Sequence, residues 1–205
     1  VGSEMCIRDR WYMDEKDAND NLTGKRVTTS DYASASYYYV NKSSLPKVYG
    51  GFNTSLSWKG FDLSAIFAYS IGGYIYNRDI TMILHNGSLE GRDWSTEILK
   101  RWTPENRYTD VPALSTTSNN WNSASTRFLQ NNSYMRLKNL TLSYDLPKQW
   151  ISKLALSSVQ VFVQGDNLFT IHRNQGLDPE QGITGITYYR YPAMRTISGG
   201  INLSF

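Results

Sequence analysis

The side chains able to do acid–base or metal chemistry in this 205-residue chain are few and scattered. Its two histidines, His85 and His172, stand far apart, and no HExxH, CxxC or GxSxG pattern accompanies either. No serine can be nominated as a partner for His172, so nucleophilic catalysis lacks a candidate set and no enzyme is expected. Asp178-Pro179-Glu180 is a carboxylate pair, but a proline between two acids reads first as an acidic turn. Asp17, Asn19 and Asn21 keep the i, i+2, i+4 oxygen spacing of a calcium loop. The sixth position, where such a loop needs glycine, is Leu22, and the twelfth is Thr28 instead of Glu, so a solvated loop is the plainer reading. No metal ligand, cofactor-binding residue or catalytic residue is assigned. What remains is aromatic. Trp94, Trp102, Tyr108, Trp121 and Tyr188 offer flat faces that stack on sugar rings and pack peptide side chains. Packing within their own loops is the equal alternative for each.

The composition is that of a polar protein, with a mean hydropathy of −0.47 and a net charge of +3. Basic residues form no cluster with aromatics, which argues against nucleic acid. No run approaches the ~20 apolar residues of a transmembrane helix. A transmembrane β-barrel stays open, because its strands alternate lipid-facing and lumen-facing residues and average to weak hydropathy. The single cysteine, Cys6, allows neither a disulfide framework nor a thiolate metal site. It lies in VGSEMCIRDR, which looks like the translated end of a sequencing adapter and lacks the apolar core of a signal peptide. Residues 1–10 are therefore expected to be a non-native tail, and the natural chain to begin upstream of residue 11.

Five segments alternate with period two, the pattern of half-buried strands. At the C-terminus, Ile197, Gly199, Ile201, Leu203 and Phe205 share one face, and Thr196, Ser198, Gly200, Asn202 and Ser204 share the other. Val48 to Trp58 repeats the pattern and leads through Lys59-Gly60, a hairpin signal, into a strand carrying Phe61, Leu63, Ala65, Phe67, Tyr69 and Ile71. A further strand spans about 133–146, where Met135 and Leu137 lie on the opposite parity to Leu140, Leu142, Tyr144 and Leu146. That phase change predicts a bulge near Lys138-Asn139. Another strand spans about 157–171, with Val159, Val161, Val163, Phe169 and Ile171 on one face.

The connections alternate long and short. Roughly 13–46 is long and polar, Lys59-Gly60 minimal, 78–131 very long, 147–157 short and 172–193 long. Nothing in a soluble sandwich forces all long loops to one end, whereas outer-membrane barrels have short periplasmic turns and long extracellular loops. The loop 78–131 is expected to hold one short helix, with Asp93 as N-cap and Trp94, Ile98 and Trp102 at helical spacing. Aromatics cluster at strand ends: Tyr74 and Tyr76, Tyr188, Tyr189 and Tyr191, and Trp58 and Phe61 beside the short turn. This suits interfacial girdles, with edge packing as the alternative. Bacterial barrels start at about eight strands, and an open edge in lipid leaves unpaired backbone groups. Five strands therefore point to a fragment, with Val48–Trp58 and Arg195–Phe205 as its two edges, or to a barrel completed by oligomerisation; a complete small barrel with another role, such as an adhesin or an assembly factor, is a further possibility. The alternative is a soluble β-sandwich, a carbohydrate-binding or adhesin module, which would bury each apolar face against a second sheet.

Several blocks resemble, in order, the SusC/RagA-like TonB-linked outer-membrane proteins of Bacteroidetes. These are LPKVYGGFNTSLSWKGFDLSAIFAYSIGGYIYN, RWTPENRYTDVPAL, SYMRLKNLTLSYDLP, VFVQGDNLFTI with GLDPE, and GGINLSF. Residues 11–205 are thereby expected to be the C-terminal part of a receptor barrel, all-β and antiparallel. They would form about the last five strands of a plugged barrel of 22 strands. The resemblance implies nutrient uptake across the outer membrane of a Gram-negative cell. The cargo would be oligosaccharide first and peptide second, with no cofactor. It also implies a SusD-like surface lipoprotein as lid and TonB engaged through an absent N-terminal part. Phe205 would be part of the signal read by the barrel-assembly machinery. On its own the fragment should not transport.

Overall fold

The computed structural model describes all residues except 1–10, 86, 88–90, 110, 116–121, 152–155, 181, 183 and 188. The adapter-like tail thus lies outside the described residues. In chain order the strands are β1 (Trp11–Lys16), β2 (Leu22–Thr29), β3 (Pro46–Trp58), β4 (Phe61–Gly72), β5 (Tyr74–Asn77), β6 (Leu129–Asn131), β7 (Tyr134–Asp145), β8 (Ser158–His172), β9 (Ile186–Thr187) and β10 (Thr196–Ser204). Two short helices, α1 (Arg78–Ile83) and α2 (Lys148–Ile151), and 3-10 turns at Thr96–Lys100 and Thr126–Phe128 complete the described elements. The chain divides into two units, residues 1–41 with 77–129 and residues 42–76 with 130–205.

The second unit is built on one antiparallel sheet in the order β10-β8-β7-β4-β3. Sequence neighbours are therefore spatial neighbours, and β3 and β10 are the edges, as the strand pattern predicts. Register carries the alternation across the sheet. Leu56, Leu63, Leu142, Val163 and Gly199 form one cross-strand row, and Phe52, Phe67, Leu137 and Phe169 another. Phe52 and Phe67 stack at 4.6 Å. The opposite face carries Ser55, Ser64, Thr141, Gln164 and Ser198 in one row. The expected bulge is present: pairing shifts between Ile66 and Phe67 on β4 and between Leu137 and Asn139 on β7. Lys138 is the extra residue, and it returns Met135 and Leu137 to the face of Leu140.

The apolar face is open. Phe52, Leu56, Leu142, Val163, Ile171 and Ile201 are all exposed, while Ala65, Leu137 and Val159 are buried. A β-sandwich would bury this face under a second sheet, and among the described residues none does so. The sandwich alternative fails on that observation.

Strand ends sort the connections as expected. Ser70 pairs with Tyr134, Tyr134 with His172, and Pro46 with Gly72. The connections 73–133 and 173–195 thus leave and re-enter the sheet at one end. At the other end lie Lys59-Gly60, the 146–157 connection and Phe205, where Ser157 N–H donates to Ser204 O at 2.8 Å. The β3–β4 turn has Lys59 at φ 48 and Gly60 at φ 86, the two positive values a two-residue type I′ turn requires. Phe61 and Tyr144 pack at 4.4 Å beside it, and the Lys59 ammonium lies 5.0 Å over the Trp58 ring. A smaller sheet, in the order β6-β5-β9, orders the chain just beyond β4 and just before β7.

The first unit departs from the sequence expectation in three places. The stretch 13–46 is not simply a long polar loop, because β1 and β2 form a hairpin within it. At its tip Asp17 Oδ1 accepts the N–H groups of Asn19 and Asn21, at 2.8 and 2.9 Å. The segment after the hairpin packs back on it, with Tyr38 Oη donating to Asp14 at 2.7 Å and Arg26 3.8 Å over the Tyr38 ring. Polar side chains hide this hairpin from a hydrophobicity pattern, since nothing apolar alternates. The expected helix after Asp93 is instead a five-residue 3-10 turn whose N-cap is Ser95, its Oγ accepting from Glu97 N–H at 3.3 Å. Ser95 captures the cap because Thr96, not Trp94, is the first helical residue. α1, in a stretch expected to be loop, is capped by Asn77, whose Oδ1 accepts from Ile80 N–H at 3.1 Å. Ile98 packs with Leu84, Val111 and Ile80 in the small core of this unit.

Candidate functional site

The polar face of the sheet is where the second unit holds its charged chemistry. Arg136, on β7, is 3% exposed, and all three faces of its guanidinium are engaged. Nη2 donates to Asp178 Oδ1 at 2.6 Å, Nη1 to Glu180 Oε2 at 2.8 Å and Nε to Thr170 Oγ1 at 2.8 Å. Lys138 Nζ reaches the same Glu180 carboxylate at 2.5 and 2.6 Å. Two cations from one strand thus face two anions from the connection after β8. Asp178 also accepts the N–H groups of Glu180 at 2.9 Å and Ala193 at 2.6 Å. Burial by itself would raise its carboxyl pKa. The Ala193 and Glu180 N–H groups and the Arg136 guanidinium outweigh burial and hold it below the usual carboxylate range.

Further along the same face, Asn139 Nδ2 donates to Asp166 Oδ1 at 2.8 Å, and Thr141 Oγ1 donates to Asn139 Oδ1 at 2.9 Å. Ser57 and Asp62 are hydrogen-bonded across the β3–β4 hairpin. This is an amide- and hydroxyl-rich wall, suited to water and to polar partners rather than to a hydrocarbon core.

Asp178-Pro179-Glu180 is a turn, as expected, since Asp178 caps Glu180. It is also half of the ion-pair cluster, which the sequence reading missed. The available signal was Arg136 and Lys138 inside a strand otherwise read as spanning lipid, where charges occur paired or facing a cavity.

The aromatic candidates are dispersed. Trp121 and Tyr188 lie outside the described residues. Trp94 is partly exposed, and its indole N–H donates to His85 Nδ1 at 2.9 Å. His85 is buried, and burial lowers its pKa, so it stays neutral and able to accept that bond. Trp102 is half-buried; its backbone N–H donates to Val111 O at 2.8 Å, and its indole N–H has no partner among the described residues. Tyr108 is 96% exposed. No ring contact joins these three to one another among the described residues. Phe205 is 90% exposed at the short-turn end of the sheet.

An antiparallel meander of 9- to 15-residue strands, open and apolar on one face, polar on the other, with long connections at one end, is a segment of a transmembrane β-barrel wall. No family model matches the chain. Two proteins of Formosa agariphila are similar to it. TonB-dependent receptor P3 is 33% identical over 166 residues and TonB-dependent receptor P26 is 30% identical over 173 residues. The alignments cover 76% and 80% of this chain but 16% and 17% of those receptors. The TonB-dependent receptor SusC of Bacteroides thetaiotaomicron is 27% identical over 168 residues, covering 82% of this chain and 16% of SusC. Among solved structures, that of the RagAB peptide transporter matches with a TM-score of 0.80 and 34% identity, covering 100% of this chain and 22% of that one. The chain belongs to the SusC/RagA-like TonB-dependent receptors, and it spans about a sixth of the length of the curated relatives it matches. These relatives are receptors and a transporter, not enzymes.

Proposed function

We propose that residues 11–205 are the C-terminal part of the barrel of an outer-membrane importer of large nutrients, with residues 1–10 a non-native tail. The observation that carries this reading is the open apolar face running across five consecutive strands. Such a face is unfavourable in water by about 25 cal/mol per Å², and in a barrel wall lipid covers it. The cargo is an oligosaccharide or a peptide. SusC and the RagAB peptide transporter are both similar to this chain, and the hydroxyl- and amide-rich wall suits either cargo. Energy comes through TonB, engaged by a part of the receptor outside this segment. A SusD-like lipoprotein serves as the surface lid, and the barrel-assembly machinery reads the end at Phe205. Trp94, Trp102, Tyr108, Trp121 and Tyr188 are the proposed cargo contacts. The segment alone does not transport.

The test is genetic. Deleting the complete gene should abolish growth on one oligosaccharide or peptide mixture as sole nutrient, and the full-length receptor should co-purify with a surface lipoprotein. Unaffected growth on every oligosaccharide and peptide tried, with no lipoprotein recovered, would sink the reading.

A further inference from the structure

The Arg136 cluster has a geometry that its neighbours do not explain. Asp178 belongs to the outgoing limb of the β8–β10 connection and Ala193 to the returning limb. One carboxylate therefore binds both limbs and, through Arg136, the sheet. We propose that this carboxylate and Arg136 form a latch that holds the β8–β10 connection against the polar wall and lets both limbs go together when it opens.

Three observations support the assignment. First, the pairing is complete. Arg136 donates to Asp178, Glu180 and Thr170, and Asp178 accepts from Arg136, Glu180 and Ala193. Second, the two central charges are deeply buried: the side chains of Arg136 and Asp178 are 4% and 6% exposed. Removing one partner of such a pair strands the other charge in a low-dielectric site, which is far more costly than breaking an exposed pair. The outer pair, Lys138 with Glu180, is 32% and 38% exposed and contributes little by comparison. Third, the contacts beside the latch are neutral. Asn132 Nδ2 donates to Pro179 O at 2.8 Å, and Asn174 Nδ2 donates to Asn132 Oδ1 at 2.9 Å. They fix the turn's position but hold no charge in place. The middle of the connection is anchored separately, by β9 in the smaller sheet and by Tyr76 N–H donating to Gly185 O at 2.7 Å, so the charged grip on the flanking limbs lies in the Arg136 cluster.

The latch rests on the proposed import function only in that the polar wall is called lumenal. Its test reads loop opening, whatever the receptor carries. Full-length receptor in outer-membrane vesicles is treated with trypsin, and cleavage after Arg190, exposed on the returning limb, is timed by mass spectrometry. Cleavage of a locally opened segment tracks the open population. Asp178→Asn should speed it by roughly tenfold or more, given the weight of a buried pair. The double variant Asp178→Asn with Arg136→Met strands no charge, so it keeps the test open if the single variant fails to assemble, and it should cleave as fast. Lys138→Ala should change the rate less than about threefold. Unchanged cleavage in both Asp178 variants would overturn the latch. An effect of Lys138→Ala as large as that of Asp178→Asn would also overturn it, by moving the grip to the exposed pair.

Discussion

Arg136 and Asp178, 42 residues apart in the chain, meet at 2.6 Å on the polar face of the sheet, each almost wholly removed from solvent. The contact ties the third strand of the sheet to the connection following the fourth. It places a formal charge pair on the polar face, toward the long-connection end of a sheet whose other face is apolar and open.

That pair predicts an acid-sensitive loop. The Asp178 pKa is depressed in the folded state below its ordinary 3.8. A depressed carboxylate contributes stability that is fully present above the ordinary value and is lost as pH falls through the folded one. The charged and titratable groups facing Asp178 are Arg136, Lys138, Glu180 and Tyr134. Protection of the β8–β10 connection from proteolysis or hydrogen exchange should be flat from about pH 7 down to about pH 5 and fall below about pH 4. Protection that instead rises on acidification would contradict the assigned sign.

The two faces should answer oppositely to charge. Leu142→Arg places a cation on the open apolar face, where lipid exposure costs about 2–4 kcal/mol near the bilayer midplane. Ser198→Lys places one on the polar face. Assembled barrel, read from heat-modifiable gel mobility, should drop for the first and stay near the parent for the second. Equal tolerance of both would mean that the apolar face is not in lipid.

The turn at the opposite end should resist side chains. Gly60 has φ 86, and a Cβ there would lie 3.1 Å from Asp145 O and 3.3 Å from the Tyr144 ring. Gly60→Val combines backbone strain with crowding and should destabilise the barrel by about 1–3 kcal/mol in a urea titration from detergent. A loss under a few tenths would show that the turn relaxes freely.

Tyr108 offers the cleanest test of cargo contact, because at 96% exposure it has almost no packing to lose. Tyr108→Ala in the full receptor should leave assembly intact and weaken cargo binding by about 1 kcal/mol or more, measured by calorimetry. Trp94→Ala is less informative, since it also removes the bond to His85.

Phe205 makes a different prediction. At 90% exposure it packs little against the described sheet. Phe205→Ser should therefore slow insertion in a pulse-chase assay while the barrel that does assemble melts like the parent.

Much of this was determined by the chain's own pattern. Period-two alternation over β3, β4, β7, β8 and β10, the Lys59-Gly60 turn and the parity change at Lys138 defined strands, order and bulge. Each is a local property in which side-chain direction follows from residue number. The hairpin β1–β2 was not legible, because its strands are mostly polar and only partly buried, which leaves too weak a hydrophobic signature. The Ser95 cap was displaced from Asp93 by where the helical turn begins, a matter of two residues that propensity does not resolve. The Arg136 cluster was decided only by tertiary structure. Arg136, Asp178 and Ala193 are brought together by strand register and by the path of a connection, and no spacing in the sequence encodes which carboxylate will neutralise a buried guanidinium. Period and turn chemistry are written residue by residue, whereas the partner of a buried charge depends on where the chain returns.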